Sequence, residues 1–72
     1  MMKYVVVYER SKTGWGAYAP DLPGLGIVAA TLEEASRLVR EAIELHIEAL
    51  REAGQPIPKP TARTDVVEVA AG

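Results

Sequence analysis

This chain of 72 residues has no cysteine, no phenylalanine and no asparagine, and only one histidine, one tryptophan and one glutamine. Without cysteine there is no disulfide and no thiolate zinc site to staple so short a polypeptide. A single histidine leaves little material for a metal or general-base cluster. No run approaches the ~20 apolar residues that a membrane-spanning helix needs. No basic block is present, and the net charge is −2, with acids and bases interspersed. That disfavours direct nucleic-acid binding, which normally shows a basic stripe, and permits a basic protein partner. Missing asparagine beside abundant Glu and Arg leans towards a thermophilic source. Met1-Met2-Lys3 leads into a short β-like run rather than a secretory signal, so a cytoplasmic location is expected.

What the chain does have is one long helix signal from Thr31 to Ala53. Thr31-Leu32-Glu33-Glu34 is a capping box: the threonine hydroxyl takes an orphan N–H and Glu34 reaches back. Gly54 suits the left-handed stop, and Pro56, Pro58 and Pro60 forbid continuation. Such a helix spans roughly 33 Å. Turning 100° per residue puts Leu32, Ala35, Val39, Ala42, Ile43, His46 and Leu50 on one side. Leu38, Leu45 and Ala49 widen that stripe on one flank. The apolar arc covers about half the circumference, more than the ~100° that one core contact requires. Either a loop folds over the Leu38–Leu45–Ala49 flank or it meets a second chain. A domain this small is marginal alone, so a homodimer or higher homo-oligomer is expected.

Four short strands surround the helix. Tyr4-Val5-Val6-Val7-Tyr8 is β-branched or aromatic throughout, and apolar on both alternating faces. Ser11-Lys12-Thr13-Gly14 is a hairpin loop. Trp15 to Ala19 is the second strand, with Trp15, Ala17 and Ala19 on one face and Tyr18 on the other. Gly16 suggests a bulge or a close backbone approach. In Pro20-Asp21-Leu22-Pro23-Gly24, proline and glycine suit the centre of a type II turn. Gly26 to Ala30 is a third strand, and Asp65-Val66-Val67-Glu68-Val69 a fourth. The expected fold is α+β with element order β-β-β-α-β. A right-handed crossover gives a four-stranded mixed sheet, order 3-2-1-4, with the helix on one face. Residues 1–72 are expected to form a single domain with no separate DNA-binding domain.

The Pro-Asp-Leu-Pro-Gly turn, the Thr-Leu-Glu-Glu-Ala helix start, Gly14-Trp15-Gly16-Ala17-Tyr18 and the Ile57-Pro58 pair together resemble the HicB family of antitoxins. The resemblance covers residues 3 to 69. It implies a partial ribonuclease-H-like fold, and a protein that binds and neutralises a small, basic, HicA-type toxin that cleaves messenger RNA. Ala29-Ala30 depart from the Gly-Asp often found before the helix. Many such antitoxins continue into a DNA-binding domain, so operator binding is not carried over to this chain. The alternative is a self-associating structural protein without a toxin.

Trp15, Tyr18, Asp21, Leu22 and Pro23 are the candidate partner-binding residues, because exposed aromatics often dominate interfaces. Core packing competes for Trp15, and a local turn role competes for Asp21. Leu38, Leu45 and Ala49 are the candidate oligomer contact. His46 is read as a core or interface residue against a catalytic or ligand role. The strands supply only Glu9, Asp65 and Glu68, not a magnesium-type cluster. No catalytic residue, metal site or cofactor is therefore expected.

Overall fold

A computed structural model describes residues 2–72. The helix is where the sequence puts it: α1 runs Leu32–Glu52, with Thr31 as its N-cap and Ala53 as its C-cap. Thr31 Oγ1 accepts from the Glu34 N–H at 3.1 Å, which is the hydroxyl half of the capping box. At the other end Gly54 has φ +68°. Its N–H donates to Arg51, and that of Gln55 donates to Leu50, at 3.1 and 2.9 Å. This pair of bonds is a Schellman motif, which satisfies carbonyls that the last turn would leave orphaned. On the charged face Arg37 and Glu41 pair at 3.4 Å, both well exposed. A pair so exposed adds little to stability.

Three strands precede it: β1 Val7–Arg10, β2 Trp15–Tyr18 and β3 Gly26–Ala29. They form one antiparallel sheet in the order β1-β2-β3. Ser11 to Gly14 closes the first hairpin, with the Ser11 N–H donating to the Gly14 carbonyl at 2.8 Å. Leu22-Pro23-Gly24-Leu25 is a type II turn. The Leu25 N–H donates to Leu22 at 3.3 Å, and Gly24 has φ +84°. A second turn around Pro20-Asp21 immediately precedes it, closed by the Leu22 N–H donating to Ala19 at 3.0 Å.

The expected four-stranded mixed sheet of order 3-2-1-4 is not formed. Asp65 to Val69 pairs with no strand, and Val66, Val67 and Val69 are 92%, 76% and 73% exposed. The element order is β-β-β-α, and the sheet is purely antiparallel. The partial ribonuclease-H-like topology, which needs that fourth strand, falls with it. The reason lies in how the segment after the helix is tied down. The Tyr4 hydroxyl donates to the Pro58 carbonyl. Three residues on, the Asp21 carboxylate accepts from Thr61 and Ala62. Val7 stands opposite Tyr18 in the sheet. Continued outwards, that register sets Tyr4 across from Asp21. The segment therefore crosses the end of the sheet from the β1 side to the β2 side instead of running along β1. The same register ends β1 early. Val5 would face Pro20, which has no N–H to offer a ladder, so pairing starts at Val7 rather than at Tyr4.

Helix α1 lies over β3 and β2 and much less over β1. Ala17, Ala19, Leu22, Ala35 and Val39 make the core, and only Leu22 and Val39 are large. Alanines on both sides let the helix axis come close to the sheet. Gly14 allows another close approach, since a Cβ there would overlap the Ala29 carbonyl oxygen. At Gly16, where the sequence suggests such an approach, a Cβ would meet Ile27 O at an ordinary 3.7 Å.

Candidate functional site

Alternation and register sort the sheet residues into two sets. Tyr8, Arg10, Trp15, Ala17, Ile27 and Ala29 face the helix. Val7, Glu9, Gly16, Tyr18, Gly26 and Val28 face outwards. The outer face carries no covering layer. Tyr18 is 39% exposed and Val28 84%. Glycines 16 and 26 stand directly across from Val28 and Tyr18 respectively, so these two side chains rise from a flat floor. A shallow depression of about 430 Å³ opens elsewhere, under the C-terminal half of the helix between Tyr4 and Ile47. The depression on the outer sheet face measures about 360 Å³ and is bounded by Glu9, Tyr18 and Val28.

The five candidate partner-binding residues do not share one surface. Tyr18 and Pro23 are exposed. Trp15 is half-buried on the helix side, with the Arg10 guanidinium 5.8 Å from its ring centroid. Directly opposed across β1 and β2, the two form a cation–π pair. Leu22 is only 1% exposed and belongs to the core. Asp21 is engaged by its own chain. Its Oδ2 accepts from the N–H groups of Thr61 and Ala62, both at 2.9 Å, and its Oδ1 from the Thr61 hydroxyl at 2.8 Å. Val28 is the exposed residue that sequence reasoning passed over. Its signal is alternation with Ile27 in a strand one face of which is buried.

The Asp21 latch makes a pH-dependent attachment. The Ala62 N–H and then the Thr61 hydroxyl hold the Asp21 carboxyl below its ordinary value, partly opposed by desolvation and aided least by the Thr61 N–H. A lowered folded value means the contribution is complete above the ordinary aspartate range and is lost as pH falls through the depressed value. Protection of the Thr61 and Ala62 amides, taken relative to the intrinsic exchange rate at each pH, is therefore expected to be high at neutral pH and to fall in acid. Asp21→Ala abolishes the protection at every pH and leaves the helix amides unchanged. Loss of protection at both amides only in step with the helix would show that the latch has no separate equilibrium.

On the helix, Leu45 is 66% exposed, Ala49 is exposed and Leu38 half-buried, so no loop covers that flank. His46 is half-buried on the apolar arc. No group of three His, Cys, Asp or Glu residues able to hold a metal ion occurs among the described residues. Among the same residues, no helix is long and apolar enough to cross a membrane.

Residues 4–70 match the family described as HicB-like antitoxin of bacterial toxin-antitoxin system. The chain belongs to the HicB-like antitoxin family. A UPF0150 protein of Synechocystis is 42% identical over 57 residues, covering 78% of this HicB-like chain and 72% of the relative. An uncharacterised 14.9 kDa protein of Haemophilus phage HP1 is 36% identical over 58 residues, 81% of this chain. This chain spans only 44% of that phage protein. Relatives also occur in the thermophiles Archaeoglobus fulgidus and Thermotoga maritima. Among solved structures, a chain of a HicA3 and HicB3 toxin-antitoxin complex superposes with a TM-score of 0.70 and 32% identity. The match covers 83% of this HicB-like chain and 70% of the other.

Proposed function

We propose that this chain is an antitoxin domain that binds a small, basic HicA-type toxin and blocks its ribonuclease activity. The observation that carries the reading is the likeness, at 32% identity, to a chain of a structure that holds toxin and antitoxin together. The molecule's own surface supports it. The outer sheet face presents an aromatic and an aliphatic side chain on a floor of glycines, a rigid and accessible patch. Rigid backbone under an exposed tyrosine keeps the entropy cost of binding low. The net charge of −2 favours encounter with a basic partner. Nothing in this role asks for catalysis, a cofactor or direct contact with nucleic acid. A protein that acts by occlusion needs only a stable surface of the right shape.

Tyr18 and Val28 are the proposed anchors. The test is co-expression with a HicA-type toxin, followed by a ribonuclease assay and calorimetry. Tyr18→Ala is expected to weaken toxin binding by about 30-fold or more, the effect of losing a hot-spot side chain. Its melting temperature should hardly change, because the ring lies outside the core. Full-strength neutralisation by a Tyr18→Ala/Val28→Asp variant would remove the outer face from the proposal. Absence of any small basic partner on co-purification would remove the antitoxin role itself.

One observation favours a second reading. Leu45 stands 66% exposed with Ala49 one turn on, an apolar flank that suits self-association through the helix. In that case Leu38, Leu45 and Ala49 meet their counterparts across a twofold axis. Leu45→Glu would then abolish the oligomer seen by light scattering.

A further inference from the structure

The molecule exposes 5927 Å², where a compact monomer of 7.8 kDa exposes about 4,400 Å². Its Cα radius of gyration is 14.3 Å, against about 11 Å for a compact chain of this length. The longest dimension is 52 Å, though a helix of 21 residues accounts for only about 32 Å. The surplus comes from the segment beyond Ala62. It runs extended with its valines bare.

A hollow on the other side of β1 from the solvent-facing sheet surface has the opposite character. It is a groove of about 630 Å³ between the helix and the β1 side of the sheet. Tyr4, Val6 and Tyr8 line one wall, Val39 and Ile43 the other. It exists because α1 sits over β3 and β2 and leaves β1 overhanging. β1 has a neighbour on one side only, so its other edge is open along the same groove. Lys3 and Arg40 stand at the rim, with Glu44 as the single acid.

We propose that the groove of each molecule receives the Asp65–Ala70 segment of a second copy, in a reciprocal exchange that makes a homodimer. The two surfaces match in chemistry. Val66, Val67 and Val69 are apolar, as the groove walls are, and Asp65 and Glu68 meet a rim richer in cations. They match in length, since six extended residues reach about 20 Å and Lys3 to Tyr8 measures the same. The edge of β1 offers main-chain groups to an extended guest. The surplus of exposed surface, about 1,500 Å² per chain, exceeds the roughly 800 Å² that a standard interface removes from each partner, so there is surface enough for a stable dimer.

The tether explains why the guest comes from another molecule. The chain is held first at Tyr4 and then at Asp21, which carries it away from the free edge of β1. To enter its own groove it would have to reverse within Arg63-Thr64-Asp65, a stretch without glycine or proline. Instead the Asp65 carboxylate accepts from the Val66 N–H at 2.8 Å and the chain continues outwards. The exchange leaves Tyr18 and Val28 free on the opposite face, so it neither requires nor excludes a toxin.

Sedimentation of the full chain at micromolar concentration tests this directly. The unaltered chain is expected to be a dimer. Val66→Asp/Val67→Asp/Val69→Asp is expected to be a folded monomer, with unchanged helical circular dichroism, because those side chains touch no core. Arg40→Glu should weaken the dimer on the order of tenfold, and Asp65→Lys/Glu68→Lys in the same chain should restore much of the loss. A monomeric unaltered chain would overturn the proposal. So would a dimer that survives the three aspartates. A dimer broken by Leu45→Glu but not by the tail substitutions would assign the contact to the helix flank instead.

Discussion

Leu22→Ala is expected to cost about 2–5 kcal/mol, the range for truncating a fully buried leucine. It is the larger of the two big side chains that the core encloses, at 1% exposure. The remaining buried residues are Val39 and three alanines, which cannot move in to fill a leucine-sized void. Domains gain about 0.05–0.15 kcal/mol of stability per residue, so a chain this short has only ~4–11 kcal/mol in hand. The substitution therefore removes much of what is there, and the variant should melt far below the parent or fail to fold at ordinary temperature. Leu45→Ala is the matched control. The same chemical change on a side chain 66% exposed should stay within about 0.5 kcal/mol in the monomer. Urea unfolding of both variants at equal concentration makes the comparison. A loss under about 1 kcal/mol for Leu22→Ala would mean that the turn relaxes over the void. The position would then be available to a partner after all.

What could be read from the sequence follows from how local each signal is. The helix ends are written in Thr31, Glu34 and Gly54, residues that act within one turn of their own positions. Pro23-Gly24 specifies its turn by two φ values, one of which only glycine takes freely. The Asp65–Val69 run has a strand's composition, but composition cannot say whether the chain ever reaches an edge to pair with. That is decided at Tyr4 and Asp21, whose partners lie 54 and 40 residues away. Asp21 itself looks like a local turn acid and is a long-range anchor. Leu22 looks like the tip of an exposed turn and is the centre of the core. In both, the stretch Pro20 to Gly24 folds as two consecutive turns, the first closed between Ala19 and Leu22, the second between Leu22 and Leu25. Leu22 sits where they join, and that corner points inwards.

The two faces of the sheet then have separate duties. Small residues stand at the buried centre of the helix-facing side, where Ala17 and Ala19 of the sheet and Ala35 and Val39 of the helix are all enclosed. That pulls the helix tight against β2 and β3 and leaves it short of β1. The same offset opens the groove and strands Tyr8 at its lip, 37% exposed. On the outer side glycine replaces alanine at positions 16 and 26, so the sheet is bare rather than padded. If the outer face meets the toxin, as proposed, it needs a backbone already held in its binding conformation. A backbone floor pinned from behind by a 21-residue helix meets that need with very little protein.

Gly14→Ala is expected to destabilise the fold by about 1–3 kcal/mol, the cost of forcing a methyl group into a filled space. The added Cβ would overlap the Ala29 carbonyl oxygen and lie 3.2 Å from both the Ala29 carbonyl carbon and the Ala30 Cα. All three are backbone atoms, so no side chain can swing aside. The hairpin end would have to lift from the junction where β3 passes into the helix cap. At roughly 4–8 °C per kcal/mol for a domain of this size, the melting temperature should fall by about 5–20 °C. Gly16→Ala is the discriminating partner. Its Cβ would meet nothing nearer than Ile27 O at 3.7 Å. Relief of glycine's entropy cost in a strand should stabilise by up to about 0.5–1 kcal/mol. Composition alone would rank the two the other way, because Gly16 interrupts a strand whereas Gly14 closes a loop that should tolerate change. Melting curves that put Gly16→Ala below Gly14→Ala would show that the hairpin does not press against the helix junction. The small residues at Ala29 and Ala30 would then have no steric reason to be small.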